Sequence, residues 1–109
     1  VAYTSNDVRD AFNPFGNGDL LLEGLIAAQG AHLGSDDELN TVFEMGTKNA
    51  ARVLGIEESY GIEVGKRADL VVFDAPSAVE AIRSQSEKTH VIKRGRLMVR
   101  NQRVTEFVE

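Results

Sequence analysis

Gly61-Ile62-Glu63-Val64-Gly65-Lys66-Arg67-Ala68-Asp69-Leu70-Val71-Val72-Phe73-Asp74 is the stretch on which the fold turns. Gly65-Lys66 reads as a tight turn, Ala68 is small enough for close packing, and Ala68–Phe73 is a dense run of apolar and β-branched residues. Asp74-Ala75-Pro76 bounds that run, which is how a buried strand reads. Downstream, Ser77-Ala78-Val79-Glu80 has the form of a capping box, in which a hydroxyl and a carboxylate satisfy each other's free N–H groups, so a short helix is expected through about Ser84. Thr89–Lys93, Leu97–Arg100 and Val104–Val108 read as three short strands linked by turns at Arg94-Gly95 and Asn101-Gln102. The chain should therefore end in an antiparallel meander that pairs with Leu70–Phe73.

Upstream the periodicity changes from strand to helix. Leu20–Leu33 carries apolar residues around most of its circumference, which calls for burial on more than one side, and Gly34 suits the left-handed position that ends helices. Ser35-Asp36-Asp37-Glu38 is a second capping box. From there Leu39, Val42, Phe43, Ala50, Val53 and Leu54 recur at helical spacing, with Gly46-Thr47 as a point where the helix can split and Gly55 as its end. Val1–Tyr3 reads as a short strand that runs into the turn-forming cluster Thr4–Asp7, and the loop continues through Asn13-Pro14-Phe15-Gly16-Asn17-Gly18. The fold class is α+β: helices followed by a small, mostly antiparallel sheet, divided at about residue 60 into a helical part (1–60) and a β part (61–109).

Composition narrows the functional classes. The 109 residues are 42% hydrophobic and 27% charged, near the average for globular chains. No apolar stretch approaches the roughly 20 residues that cross a bilayer, so no membrane partner is expected. A net charge of −5 disfavours nucleic acid, and Lys93, Arg94, Arg96, Arg100 and Arg103 alternate with apolar residues as a solvated strand face does. The absence of cysteine excludes disulfides and thiolate metal sites and fits a cytoplasmic protein. Neither His32 nor His90 has a second histidine at metal-site spacing, and both read first as ordinary structural histidines. No nucleophile elbow is present, and Gly16-Asn17-Gly18-Asp19 lacks the spacing and the Lys of a phosphate loop.

Three segments together resemble the C-terminal end of amidohydrolase-superfamily enzymes: Gly61–Asp74, Thr47-Lys48-Asn49-Ala50-Ala51-Arg52-Val53-Leu54-Gly55, and Val91-Ile92-Lys93-Arg94-Gly95-Arg96. Their order and spacing match over essentially the whole chain. The loop Ser5–Asp19 is similar to the one after the last barrel strand in cytosine deaminases and isopropylammelide amidohydrolases, which hydrolyse C–N bonds on nitrogen heterocycles. The resemblance implies that residues 1–60 are the last strand and supporting helices of a TIM-like barrel and that 61–109 are part of a composite β-domain. It also implies one divalent metal in the parent enzyme, zinc or iron, and a small nitrogen-heterocycle substrate.

In that family a carboxylate at the end of the last strand binds the metal and handles a proton of the metal-bound water. Here the aligned position is Asn6, and Asp7 follows it, so the order is swapped. An Asn amide offers a neutral oxygen but no base, which makes Asp7 the catalytic and metal-binding candidate, with Asn6 the alternative. An ordinary turn is the plainer reading of both residues. The His-x-His pair and the later acid and base residues of the family do not occur, and the chain begins with Val rather than Met. The expectation is that it belongs to a longer enzyme, as a partial gene, a truncated form or a proteolytic remnant, that its chief partner is the rest of that chain, and that alone it binds no metal and is inactive. The rival reading is a free-standing interaction module that forms homo-oligomers through apolar surface left exposed.

Overall fold

The computed structural model describes residues 1–5, 8–11 and 14–109. Among the described residues four helices and three strands follow one another as α1 (Leu20–Gly30), α2 (Asp36–Met45), α3 (Lys48–Val53), β1 (Leu70–Phe73), α4 (Ala78–Ser84), β2 (Lys88–Lys93) and β3 (Arg96–Arg100). The architecture is α+β. The strands form one antiparallel sheet in the order β1-β2-β3. Among the described residues no helix is long and apolar enough to cross a membrane.

Helices α1, α2 and α4 start where a side chain satisfies free amides. Asp19 accepts from the Leu21 amide at 2.9 Å to cap α1. At α2 the full capping box forms: Ser35 Oγ accepts from the Glu38 amide at 3.2 Å, and Glu38 Oε2 accepts from the amides of Ser35 at 2.9 Å and Gly34 at 2.8 Å. Those donors hold the Glu38 carboxyl below its usual range. The box expected at α4 is half made. Ser77 accepts from the Glu80 amide, but Glu80 turns its carboxylate to the Ser84 hydroxyl at 2.5 Å instead.

The core is built by α4. Ile82 (1% exposed) and Val42 (0% exposed) are the largest fully buried side chains, and they cluster with Leu21 and Ala28 of α1, Leu39 of α2, and Val79 and Ala81 of α4. The chain between β1 and β2 is thus a helix packed on α1 and α2, and the sheet is carried on the helical layer rather than beside it. Phe73, at the end of β1, meets Phe43 of α2 edge to face with ring centroids 6.2 Å apart. Arg83 donates to Asp36 Oδ1 at 2.9 Å and to the Gly34 carbonyl at 3.2 Å, a second tie between α4 and the start of α2.

Several details differ from the sequence expectation. Helix α1 stops at Gly30 rather than Leu33, because His32 and not Gly34 takes the left-handed conformation (φ 57°). It buries one side only: Leu21, Gly24 and Ala28 are covered, whereas Ile26 is 53% exposed. The helix does split at Gly46-Thr47, but the Thr47 hydroxyl donates back to the Phe43 carbonyl at 2.9 Å and caps nothing. Val1–Ser5 and residues 101–109 carry no strand. Among the described residues the last expected strand, Val104–Val108, pairs with no other strand, and the chain just before it is held to β2 by the Asn101 amide on the Thr89 carbonyl and its side chain on the Lys88 carbonyl.

Ile82→Ala should cost about 2–5 kcal/mol, the usual range for emptying a fully buried aliphatic site. Equilibrium urea unfolding should show the helical signal and the sheet signal shifting together to lower midpoint, because α4 belongs to both layers.

Candidate functional site

The polypeptide before α1 is where the sequence placed the metal chemistry, and its described parts are tied to the rest of the chain at a few points. Val1–Ser5 lies against the helices: the Tyr3 amide donates to the Met45 carbonyl at 3.4 Å, and Asn49 Nδ2 donates to the Val1 carbonyl at 3.1 Å. The Tyr3 ring lies over Gly24 of α1 and Gly46 after α2, so close that a methyl group at either glycine would collide with its phenol. Burial first, and then the nearby Asp19 and Glu23 carboxylates, push the Tyr3 hydroxyl above its ordinary range, so it stays protonated.

Farther along, Arg9 Nε donates to the Gly16 carbonyl at 3.3 Å. Asn17 Oδ1 accepts from the Asp19 amide at 3.0 Å, an Asx turn that delivers the chain into α1. Asp19 then does two things. One oxygen caps the helix, and its carboxylate pairs with Lys88 Nζ at 2.9 and 3.0 Å, both side chains about 30% exposed. Lys88 begins β2, so the loop's exit is tied to the sheet across 69 residues of sequence. The sequence reading starts the helix at Leu20, just after Asp19, and offers no signal for Lys88, which lies one residue before the expected strand Thr89–Lys93.

Asp7 and Asn6 lie outside the described residues. His32 is exposed just after α1, and His90 sits in β2 with Nδ1 3.0 Å from the Thr89 hydroxyl. Among the described residues no group of three or more His, Asp or Glu side chains converges as a metal site would require. The described part of this chain therefore does not fit a complete divalent-metal site, and no chemical step is derived through one.

The quoted stretch Gly61–Asp74 turns out to be a set of clamps. Lys66 Nζ donates to the carbonyls of Tyr60 at 2.9 Å and Glu57 at 3.3 Å, gathering the loop between α3 and β1 around one ammonium. Asp69 reaches across to the β2–β3 turn. Its Oδ1 accepts from the Arg94 amide at 2.8 Å, its Oδ2 pairs with Lys93 at 3.1 Å, and the neighbouring Ala68 carbonyl accepts from the Gly95 amide at 2.9 Å. The turn itself has positive φ at both Arg94 (51°) and Gly95 (77°), the geometry that matches strand twist. These residues hold a hairpin and touch no candidate ligand.

The family comparison follows that motif. The profile of the amidohydrolase family matches residues 16–99, and the chain belongs to this family. N-isopropylammelide isopropyl amidohydrolase of Pseudomonas sp. (strain ADP) is 46% identical over 98 residues, covering 90% of this chain and 24% of the relative. Among solved structures, 5-methylcytosine deaminase from Klebsiella pneumoniae liganded with phosphonocytosine superposes with a TM-score of 0.86 at 26% identity, over 94% of this chain and 25% of that one. N-isopropylammelide isopropylaminohydrolase from Burkholderia multivorans ATCC 17616 gives 0.80 at 34% identity, over 86% and 24%. The chain spans about a quarter of the length of the relatives it matches.

The Arg94 amide first, then the Lys93 ammonium, lower the Asp69 carboxyl below its ordinary range. Because the folded carboxyl is the more acidic, its stabilisation is complete above the ordinary aspartate pKa of about 4 and is lost as pH falls through the lowered folded value. Asp69→Asn should therefore lower the thermal midpoint at neutral pH, and the gap to the parent chain should close in acid. A gap that persisted at the acid end would show that the carboxylate charge is not what holds the hairpin.

Proposed function

We propose that this chain is the C-terminal part of a metal-dependent hydrolase that acts on C–N bonds other than peptide bonds, deaminating a small nitrogen heterocycle in the manner of a cytosine deaminase. The observation that carries the reading is the 46% identity over 90% of the chain to an isopropylammelide amidohydrolase. The match to a cytosine-type deaminase liganded with a cytosine analogue supports the same substrate class. On this reading residues 1–60 supply the last strand and supporting helices of a TIM-like barrel, and 61–109 supply part of the small β-domain. The cysteine-free composition favours a cytoplasmic enzyme.

Asp7, or Asn6 beside it, is the position of this chain that would approach the metal, zinc or iron, with the remaining ligands coming from other parts of the parent. The metal would supply an activated water. What the described residues show is order after that position: Arg9 donates to the Gly16 carbonyl, and Asp19 pairs with Lys88.

The test uses the 109-residue chain and a full-length protein that contains it. The chain alone should retain no stoichiometric zinc or iron after dialysis and should not release ammonia or amine from cytosine or ammelide-type substrates. The full-length protein should do both, and Asp7→Ala within it should reduce turnover by at least about a hundredfold, the scale of a lost acid–base group. Turnover by the isolated chain, or a full-length protein inert toward every heterocyclic amine, would overturn the reading.

A further inference from the structure

The turn that delivers the chain into α1 is made by Asn17, Gly18 and Asp19, and each residue answers a local requirement. Asn17 Oδ1 accepts from the Asp19 amide at 3.0 Å, which takes a short side chain ending in an acceptor. Gly18 has a φ of 74°, a conformation that other side chains rarely adopt. Asp19 caps α1 on the Leu21 amide and pairs with Lys88. These requirements set an asparagine directly before a glycine.

That pair is chemically labile. The backbone nitrogen that follows an asparagine can attack the asparagine's own side-chain carbonyl carbon, and glycine offers that nitrogen with no Cβ to crowd the approach. Asn17 is the one asparagine of the sequence so placed, since Asn6, Asn13, Asn40, Asn49 and Asn101 precede Asp, Pro, Thr, Ala and Gln. The turn adds two effects. An amide oxygen bonded to the N–H two residues on folds the carboxamide back over the intervening peptide, which carries the attacking nitrogen. The Asp19 N–H also draws charge from that oxygen, as a donor aimed at a developing oxyanion does. Every atom that reacts before water enters lies in residues 17 and 18, so the step requires no partner from elsewhere in the protein.

We propose that Asn17 is a site of spontaneous deamidation, promoted by the turn that leads into α1, and that the isoaspartyl product unfastens the start of that helix. The Gly18 nitrogen gives up its proton to solvent base and bonds to Asn17 Cγ. The Cγ–Nδ2 bond breaks, and ammonia leaves with a proton returned to it. Water then opens the cyclic imide at either carbonyl. Cleavage of the newly formed bond leaves an ordinary aspartyl residue. Cleavage of the original peptide bond leaves the main chain running through the side-chain carbon and one carbon longer. In that form the carbonyl that accepted from the Asp19 amide has become part of the main chain, and Asp19 is moved from the Leu21 amide and from Lys88. The proposal stands independently of the hydrolase chemistry above.

The test incubates the full-length protein that contains this chain in mildly alkaline buffer and maps its peptides by mass spectrometry, with enzymatic methylation to mark isoaspartyl carboxylates. Conversion at Asn17 should run at least about tenfold faster than at any other asparagine. It should slow as the pH falls, and it should be no slower in native protein than in protein unfolded with guanidinium. Asn17→Ser keeps a hydroxyl acceptor for the turn and has no amide to lose, so it should form no isoaspartate at this position. Aged parent protein should melt below fresh protein, whereas Asn17→Ser should melt alike before and after incubation. An Asn17 that survives incubation, or that converts more slowly in folded than in unfolded protein, would overturn the proposal. An unchanged melting temperature after full conversion to isoaspartate would overturn its link to the start of α1.

Discussion

Everything in this fold depends on the burial of Ile82 of α4 against α1 and α2. The helix is the connection between β1 and β2, two strands that pair with each other, so a short turn would have sufficed to join them. By running through α4 instead, the chain fixes the sheet to the helical layer at both strand ends. Phe73 on Phe43 and Lys88 on Asp19 are then brought within reach and lock the junction. Remove the apolar contact and these polar and aromatic ties have nothing to align them, since a partly exposed ion pair contributes only about 1 kcal/mol or less.

The same junction reaches the polypeptide before α1. That segment is not held by its own sequence alone: Arg9 donates to the Gly16 carbonyl, and Asp19 pairs with a lysine of the sheet. A domain boundary drawn at residue 60 separates Asp19 from Lys88 in sequence, yet their side chains meet. The start of α1 is thereby fastened to the first residue of β2.

Charge is distributed with equal asymmetry. Asp36, Asp37 and Glu38 crowd the first turn of α2, where they complement the free amides of the helix end, while residues 88–103 carry only cations. A net charge of −5 conceals this division. The cations nearest the helices are neutralised by Asp19 and Asp69, and those of β3 are left facing outward.

The sequence by itself determined the elements whose causes are local. Ser35 and Glu38 announce a helix start because the capping box is made within four residues, Arg94-Gly95 announces a hairpin because only certain residues tolerate positive φ, and Leu70–Phe73 announces a strand by composition. The family was legible from Gly61–Asp74 for the same reason, since its clamps demand particular residues at particular spacings. What only the tertiary structure decided are matters of long-range partnership. Val104–Val108 has every local mark of a strand and is not one, because a strand exists only where another backbone accepts its hydrogen bonds. Helix α1 ends at Gly30 and buries a single side because its neighbours cover only that side. Lys88 gained its role from a carboxylate 69 residues away, and no local pattern encodes such a meeting.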